Sequence, residues 1–130
     1  MHTLIVGGSM SYSKLEPAFK NIEEIRMGSP YNVCDLELMG KWIPDLPAYE
    51  WQDLFANSQN NRYLALVAWA IKKNNPGFKL IIIDLKNKNI KETERITGCC
   101  KSIYWTVSGF SYDISGYISE KDFSNLRDLR

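Results

Sequence analysis

The sequence predicts a mainly β protein: an antiparallel curved sheet, sandwich or incomplete barrel with one or two short helices. Three observations lead to this fold class. Segments 62–71 and 78–85 are apolar on both sides of an extended chain, which is typical of strands inside a sheet. Turn-forming clusters rich in Asn, Gly and Pro flank these segments. Segment 31–43 alternates apolar and acidic side chains, the pattern of a strand with one face in solvent.

The N-terminal half predicts two strands and a long loop. Residues 12–25 have a weak helical pattern, and residues 23–27 and 31–43 predict strands separated by Gly-Ser-Pro. The second strand should turn Cys34, Leu36 and Leu38 inward and Val33, Asp35 and Glu37 outward. Gly40 predicts a tight turn. Residues 44–51 predict a loop restrained by Pro44 and Pro47.

The C-terminal half predicts an antiparallel meander. In segment 62–71, one face is expected to hold Tyr63, Ala65, Val67, Trp69 and Ile71, and the other Leu64, Leu66 and Ala68. Short turns should connect it to 78–85 and then to a strand within 90–98. Residues 101–118 predict one or two further strands, with a bend at Gly109 or Gly116, and 120–130 a short helix.

Length and composition indicate one domain over residues 1–130, with residues 1–12 as a flexible end. The N-terminus lacks the basic and apolar regions of a signal peptide, and no apolar run approaches the roughly 20 residues that span a bilayer. The three cysteines, Cys34, Cys99 and Cys100, lack metal-binding or disulfide spacing and are expected to be thiols. We therefore expect a cytoplasmic protein with no membrane association.

The residue types argue against catalysis. The only histidine is His2, so histidine-based triads and zinc sites have no basis, and residues 6–9 lack the pattern of a phosphate loop. Asp35 and Glu37 lie about 7 Å apart on one strand face, but nothing in the sequence indicates a cleft around them. Asp84 interrupts an isoleucine run and is expected in an ion pair or a turn cap. We expect no catalytic residue, cofactor or metal.

Charge is unevenly distributed although the net charge is only +1. Residues 16–53 hold eight acidic side chains and three basic ones, whereas residues 72–101 hold eight basic and three acidic ones. Such asymmetry is typical of an interaction face, or of solvated strand faces that offset each other. Aromatic and acidic residues concentrate between 35 and 53, and the candidate partner-binding residues there are Asp35, Glu37, Trp42, Asp45, Tyr49, Glu50, Trp51 and Asp53. Trp69 and Trp105 are instead expected in the core.

Seven segments resemble small bacterial immunity proteins encoded beside polymorphic toxins, including those of contact-dependent growth-inhibition systems. They are GSPY, WIPDLP, WQDL, RYLALVAW, NNPGFKLIIID, ITGCC and IYW, spread over residues 25–105. The resemblance implies a cytosolic antidote that binds the C-terminal domain of a cognate toxin, often a nuclease, and blocks it without catalysis. It implies no direct contact with nucleic acid.

Two other functions stay open from the residues. A small-ligand binder or enzyme would need an enclosed pocket, for which Asp35, Glu37, Tyr63, Trp69 and Tyr104 are candidates. A structural module would oligomerise through exposed strand edges.

Overall fold

Strands make up the regular structure of the chain wherever the computed structural model describes it, over residues 11–73, 75–106, 109–114 and 117–122. No helix occurs in these ranges. The strands are β1 Glu16–Glu24, β2 Asn32–Met39, β3 Trp51–Asn57, β4 Tyr63–Trp69, β5 Gly77–Asp84, β6 Asn89–Glu92, β7 Ile96–Thr97, β8 Cys100–Trp105, β9 Gly109–Ile114 and β10 Tyr117–Asp122. The mainly β, antiparallel fold class is confirmed.

The strands form two antiparallel sheets. Strands β1 to β6 follow one another in a seven-stranded sheet, in which short β7 pairs with β5 beyond the end of β6. Strands β8, β9 and β10 form a three-stranded sheet. The predicted meander through β4, β5 and β6 is confirmed, and the larger sheet is open, with β1 at one edge.

Strands β4 and β5 lie at the centre because their side chains are apolar on both faces. Every residue of β4 is buried. Tyr63, Ala65 and Val67 face the three-stranded sheet and form a first core with side chains of β5, β8 and β9. The opposite face belongs to a second core, as predicted for Leu64, Leu66 and Ala68. Ile71 lies beyond the end of β4 and is 44% exposed, so its placement in the strand was wrong.

Aromatic contacts fasten the three-stranded sheet to the larger one. Trp105 stacks on Tyr63 with ring centroids 5.3 Å apart and contacts Phe110 at 4.8 Å. Its indole Nε1 donates a 3.0 Å hydrogen bond to the carbonyl oxygen of Ala56 in β3. Trp69 is buried, and its Nε1 donates to the carbonyl of Asn32 at 2.9 Å. Trp69 is thus buried as predicted, whereas Trp105 packs against the first core and is only half-buried.

The second core is covered by the β1–β2 hairpin and by residues 40–50. Cys34 and Leu38 are buried while Asp35 and Glu37 are exposed, which confirms the alternation predicted for β2. Leu15, just before β1, is 1% exposed and belongs to this core. Cys34 pairs with Trp51 at the junction of β2 and β3.

Three sequence predictions in the outer parts of the chain were wrong. Residues 12–25 contain all of β1 rather than a helix, because β2 supplies a partner strand that places Phe19 opposite Leu36. Only Glu23 and Glu24 of the strand predicted at 23–27 are extended, since the chain turns through Gly28 at a φ of 80°. Residues 120–122 belong to β10. Of the flexible end predicted at residues 1–12, only Ser11 and Tyr12 are among the described residues. His2, Gly116 and the part of the predicted helix beyond residue 122 lie outside them.

A buried ion pair closes one end of β4 and β5. Arg62 donates from Nε and a terminal nitrogen to the two carboxylate oxygens of Asp84, each at 3.0 Å. Asp84 also accepts from the backbone amides of Lys86 and Asn87, so it is both the ion-pair partner and the turn cap that the sequence predicted. Burial opposes ionisation, but the hydrogen bonds from Arg62 and the two amides outweigh it and lower the pKa of Asp84.

A second clamp holds the turn between β4 and β5. Arg95 donates to the carbonyl oxygens of Ala70 at 2.6 Å and Asn75 at 2.7 Å. Its guanidinium lies against Gly77, where a Cβ atom would overlap it. Glycine at position 77 leaves room for this guanidinium, and a larger residue would have to displace it.

Replacing Arg62 with Ala should lower the free energy of unfolding by about 3 kcal/mol, because it leaves the Asp84 carboxylate buried without a cation. The matched control is Lys20→Ala in the exposed Lys20–Glu37 pair, 56% exposed on each side, which should cost less than about 1 kcal/mol. Urea unfolding measures both. Since the pKa of Asp84 is lowered, the difference between wild type and R62A should be full above the ordinary value of 3.8 and shrink as pH falls below it. A pH-independent difference would contradict this account.

Replacing Gly77 with Ala should destabilise the protein by about 1–3 kcal/mol, because the added methyl displaces the guanidinium of Arg95. In an Arg95→Ala background the same substitution should cost close to nothing, since the colliding group is gone. A double-mutant cycle measured by urea unfolding tests the coupling. Equal costs in both backgrounds would show that Arg95 is not the reason for glycine at this position.

Candidate functional site

Residues 40–50, here called the 40–50 loop, cross the second core between β2 and β3 without regular structure. Pro44 is buried, and Leu46 and Tyr49 pack against the core. The Tyr49 amide donates to the carbonyl of Pro47 at 2.9 Å, and the Trp69 amide donates to the carbonyl of Glu50 at 2.8 Å. The loop is therefore held on the sheet by apolar packing and by backbone hydrogen bonds.

An open groove of about 350 Å³ lies between β2 and this loop. Its lining is mostly apolar, with one carboxylate, and consists of Asp35, Leu36, Leu38, Ile43, Pro44, Leu46, Pro47, Ala48, Tyr49 and Trp51. Ile43 is 55% exposed, which is a large apolar surface for a residue beside charged neighbours. The groove offers apolar contact next to negative charge.

Tyr49 fixes the far end of the loop. Its ring packs edge-on against Trp51 with centroids 5.5 Å apart, and its hydroxyl donates to Glu92 Oε2 at 2.6 Å. Glu92 Oε1 accepts from Lys79 Nζ at 3.2 Å. The hydrogen bond between the two side chains raises the pKa of Tyr49 and lowers that of Glu92. The phenol thus connects the loop to β6.

Few positive charges compensate the acidic side chains predicted for this surface. Asp35 accepts from the neutral amide of Asn21 at 2.7 Å, and Asp53 from that of Asn32 at 3.1 Å. Glu37 forms an exposed ion pair with Lys20 at 2.8 Å. Asp35, Asp45, Glu50 and Asp53 form no ion pair with any described residue. Their negative charge is left to solvent or to a partner.

The predicted residues separate into four groups. Asp35, Tyr49 and Trp51 line the groove, and Asp45 and Glu50 lie exposed on the loop that forms its wall. Glu37 and Asp53 lie on the neighbouring strands β2 and β3, and Trp42 lines a separate pocket.

Trp51 is a correction to the predicted interaction surface. It is 4% exposed and belongs to the second core, so it supports the groove from below and offers almost no surface to a partner. The sequence placed it next to loop residues, but it opens β3 and pairs with Cys34 and Ala68.

Sequence reasoning missed the apolar walls of the groove. Leu36 and Leu38 were read only as the inner face of β2, Ile43 as the end of the strand segment 31–43, and Leu46 as part of a loop. The available signal was the apolar residues around two prolines, which a solvated loop does not need.

The residues suggested for an enclosed ligand pocket do not come together. Tyr63 and Trp69 are buried, whereas Asp35 and Glu37 are exposed on β2 and Tyr104 is exposed on β8. Within the described part of the chain, no three His, Cys, Asp or Glu side chains are grouped to hold a metal ion. The same residues include no helix long and apolar enough to cross a membrane.

The three cysteines are thiols in the described structure. Burial, with smaller contributions from Asp53 and Asp35, raises the pKa of Cys34 to about 11. Burial raises the pKa of Cys100 to about 12. Cys34 Sγ lies 3.5 Å from the carbonyl oxygen of Trp51, beneath the groove.

Comparison with known proteins adds no relative: no protein-family model, curated protein or solved structure matches the chain. The likeness to immunity proteins therefore rests on the sequence segments alone.

The burial of the thiols predicts their order of reactivity. In the native protein Cys99, which is only partly buried, should react with a thiol reagent first, and Cys34 and Cys100 should react only on unfolding. Titration with Ellman's reagent before and after addition of denaturant measures this, and Cys99→Ser identifies the fast thiol. Rapid reaction of all three native thiols would contradict the packing described for β2 and β8.

Proposed function

We propose that this protein is an immunity protein that binds a cognate bacterial toxin domain, a nuclease, in the cytoplasm and neutralises it by occlusion without catalysis. The observation that carries the proposal is an exposed apolar groove that Asp35 lines and whose wall is a loop that exposes Asp45 and Glu50, all without a cationic partner among the described residues. Asp53, on the neighbouring strand β3, also forms no ion pair with a described residue. The resemblance of the sequence segments to immunity proteins supplies the class of partner.

The chemistry of the two surfaces matches. A nuclease domain carries a basic cleft, because it must bind the phosphate backbone of its substrate. Uncompensated carboxylates accelerate association with such a cleft and select against wrong partners. Ile43 and the other apolar groove residues supply the contact area that charge alone does not provide. The loop is already packed on the sheet, so binding requires little ordering of the chain.

Two carboxyl groups, those of Asp84 and Glu92, have a lowered pKa, and both have structural roles. Asp84 holds Arg62 and the turn after β5, and Glu92 holds Tyr49 and Lys79. Neither lines the groove. Asp84 and Glu92 are therefore not part of the surface that we propose for toxin binding.

A small-ligand site is the second candidate, because the groove volume of about 350 Å³ falls at the lower end of the range typical for such sites. A ligand would contact the apolar walls. Substitution of Ile43 would then weaken ligand binding, while reversal of the loop charges would leave the affinity for a neutral ligand unchanged.

The test is a binding assay between the tagged protein and the C-terminal domain of the protein encoded immediately upstream, together with a toxicity assay of that domain in cells. Asp45→Lys, Glu50→Lys and Asp53→Lys combined should weaken the complex by about tenfold or more. The control reverses three exposed acids elsewhere, Glu16, Glu23 and Glu94, with the same change in net charge.

Three results would count against the proposal. Absence of a complex with well-folded protein would reject the immunity function. Unchanged affinity of the folded loop variant would move the interface away from this groove. Equal weakening by both triple variants would show that net charge, rather than this surface, determines binding.

A further inference from the structure

A second pocket, of about 200 Å³, opens where three separate parts of the chain meet. The residues before β1, the start of the 40–50 loop and the turn after β5 all contribute to it. Its lining is Ser13, Lys14, Leu15, Gly40, Lys41, Trp42, Leu85 and Lys88. We call it the lysine pocket, because each of the three parts supplies one lysine.

The lysine pocket has an uncompensated positive charge. Lys14, Lys41 and Lys88 form no ion pair with a described residue, and no aspartate or glutamate is among the lining residues. Asp84, four residues before Lys88 in the chain, is already engaged by Arg62 and by the amides of its own turn. Three like charges around one cavity repel each other, and an anion relieves that repulsion.

Packing holds the backbone of all three lysines in place. A Cβ atom at Gly40 would meet Leu15 Cδ1 at 3.0 Å and the Lys14 carbonyl oxygen at 3.4 Å, so the segments that carry Lys14 and Lys41 are in close contact. Leu15 is buried in the second core. Lys88 has a φ of 51° in the turn that Asp84 caps. The pocket is therefore formed without a ligand.

The side chains indicate which anion fits. Arginine would bind carboxylate and phosphate alike through paired hydrogen bonds, and no arginine lines this pocket. Lysine ammonium groups act as point charges, so three of them favour the nearly doubly charged phosphate monoester over a singly charged carboxylate. Leu15, Trp42 and Leu85 add an apolar and aromatic wall beside the charges.

We propose that the lysine pocket binds the phosphate group of a small phosphate monoester, with the esterified group against Trp42. The lysine pocket shares no lining residue with the groove and does not depend on the immunity function. It also explains why Trp42, a candidate for partner contact, faces a cavity lined by cations rather than the acidic groove.

The experiment follows the indole N–H resonance of Trp42 by NMR during titration, with assignment by Trp42→Phe. The probes are phenyl phosphate, inorganic phosphate, benzoate and a single-stranded oligonucleotide. Phenyl phosphate should bind best, inorganic phosphate more weakly and benzoate least. Replacing Lys14, Lys41 and Lys88 with Gln should weaken phenyl phosphate by about tenfold or more. A matched charge control replaces the exposed Lys72, Lys73 and Lys101 with Gln and should retain wild-type affinity.

Several outcomes would overturn the assignment. No shift of the Trp42 resonance at millimolar phenyl phosphate would reject the site. Equal losses in the two lysine variants would reduce the effect to net charge. If benzoate bound as tightly as phenyl phosphate, the pocket would have no preference for phosphate. Tighter binding of the oligonucleotide through the same three lysines would reject a small ester as the ligand. All of these results are independent of whether a toxin domain binds the groove.

Discussion

The pairing of β4 with β5 is the interaction on which the rest of the structure depends. The two strands align from Tyr63 opposite Asp84 to Trp69 opposite Phe78. Their side chains supply the middle of both hydrophobic cores. Because both faces must be covered, the chain has to place the β8–β10 sheet on one side and the β1–β2 hairpin with the 40–50 loop on the other. Arg62 and Asp84 close one end of this pair with a buried charge interaction.

The groove is a consequence of how the second core is covered. On the first face a sheet packs against a sheet, and Trp105 and Phe110 fill the contact. On the second face a loop restrained by Pro44 and Pro47 crosses the sheet, and irregular backbone leaves space beside β2. Tyr49 closes the far end through its contacts with Trp51 and Glu92. The same loop that completes the core therefore forms the wall of the groove.

Charge in the folded protein is arranged differently from charge along the chain. Lys41 of the lysine pocket comes from the acid-rich residues 16–53 and Lys14 from just before them, while the base-rich residues 72–101 contribute only Lys88. The groove and the pocket share the 40–50 loop, with acids exposed along one part and Lys41 and Trp42 at its start. Opposite charges are thus concentrated on neighbouring surfaces of a chain with a net charge of +1.

The sequence alone determined the central strands, because a short run that is apolar on both faces has few places to be buried other than inside a sheet. It also determined the outward acids of β2 and the turn-capping role of Asp84, since both follow from local pattern. The pairing of Asp84 with Arg62 depends instead on β4 and β5 lying side by side. Only the tertiary structure decided that residues 12–25 extend as β1, because the partner strand outweighs a weak helical preference. It also decided that Trp51 is core and that Trp42 joins three lysines. The burial of Trp51 and the position of Trp42 depend on which distant segments of the chain meet, and the spacing of residues along the chain does not predict that.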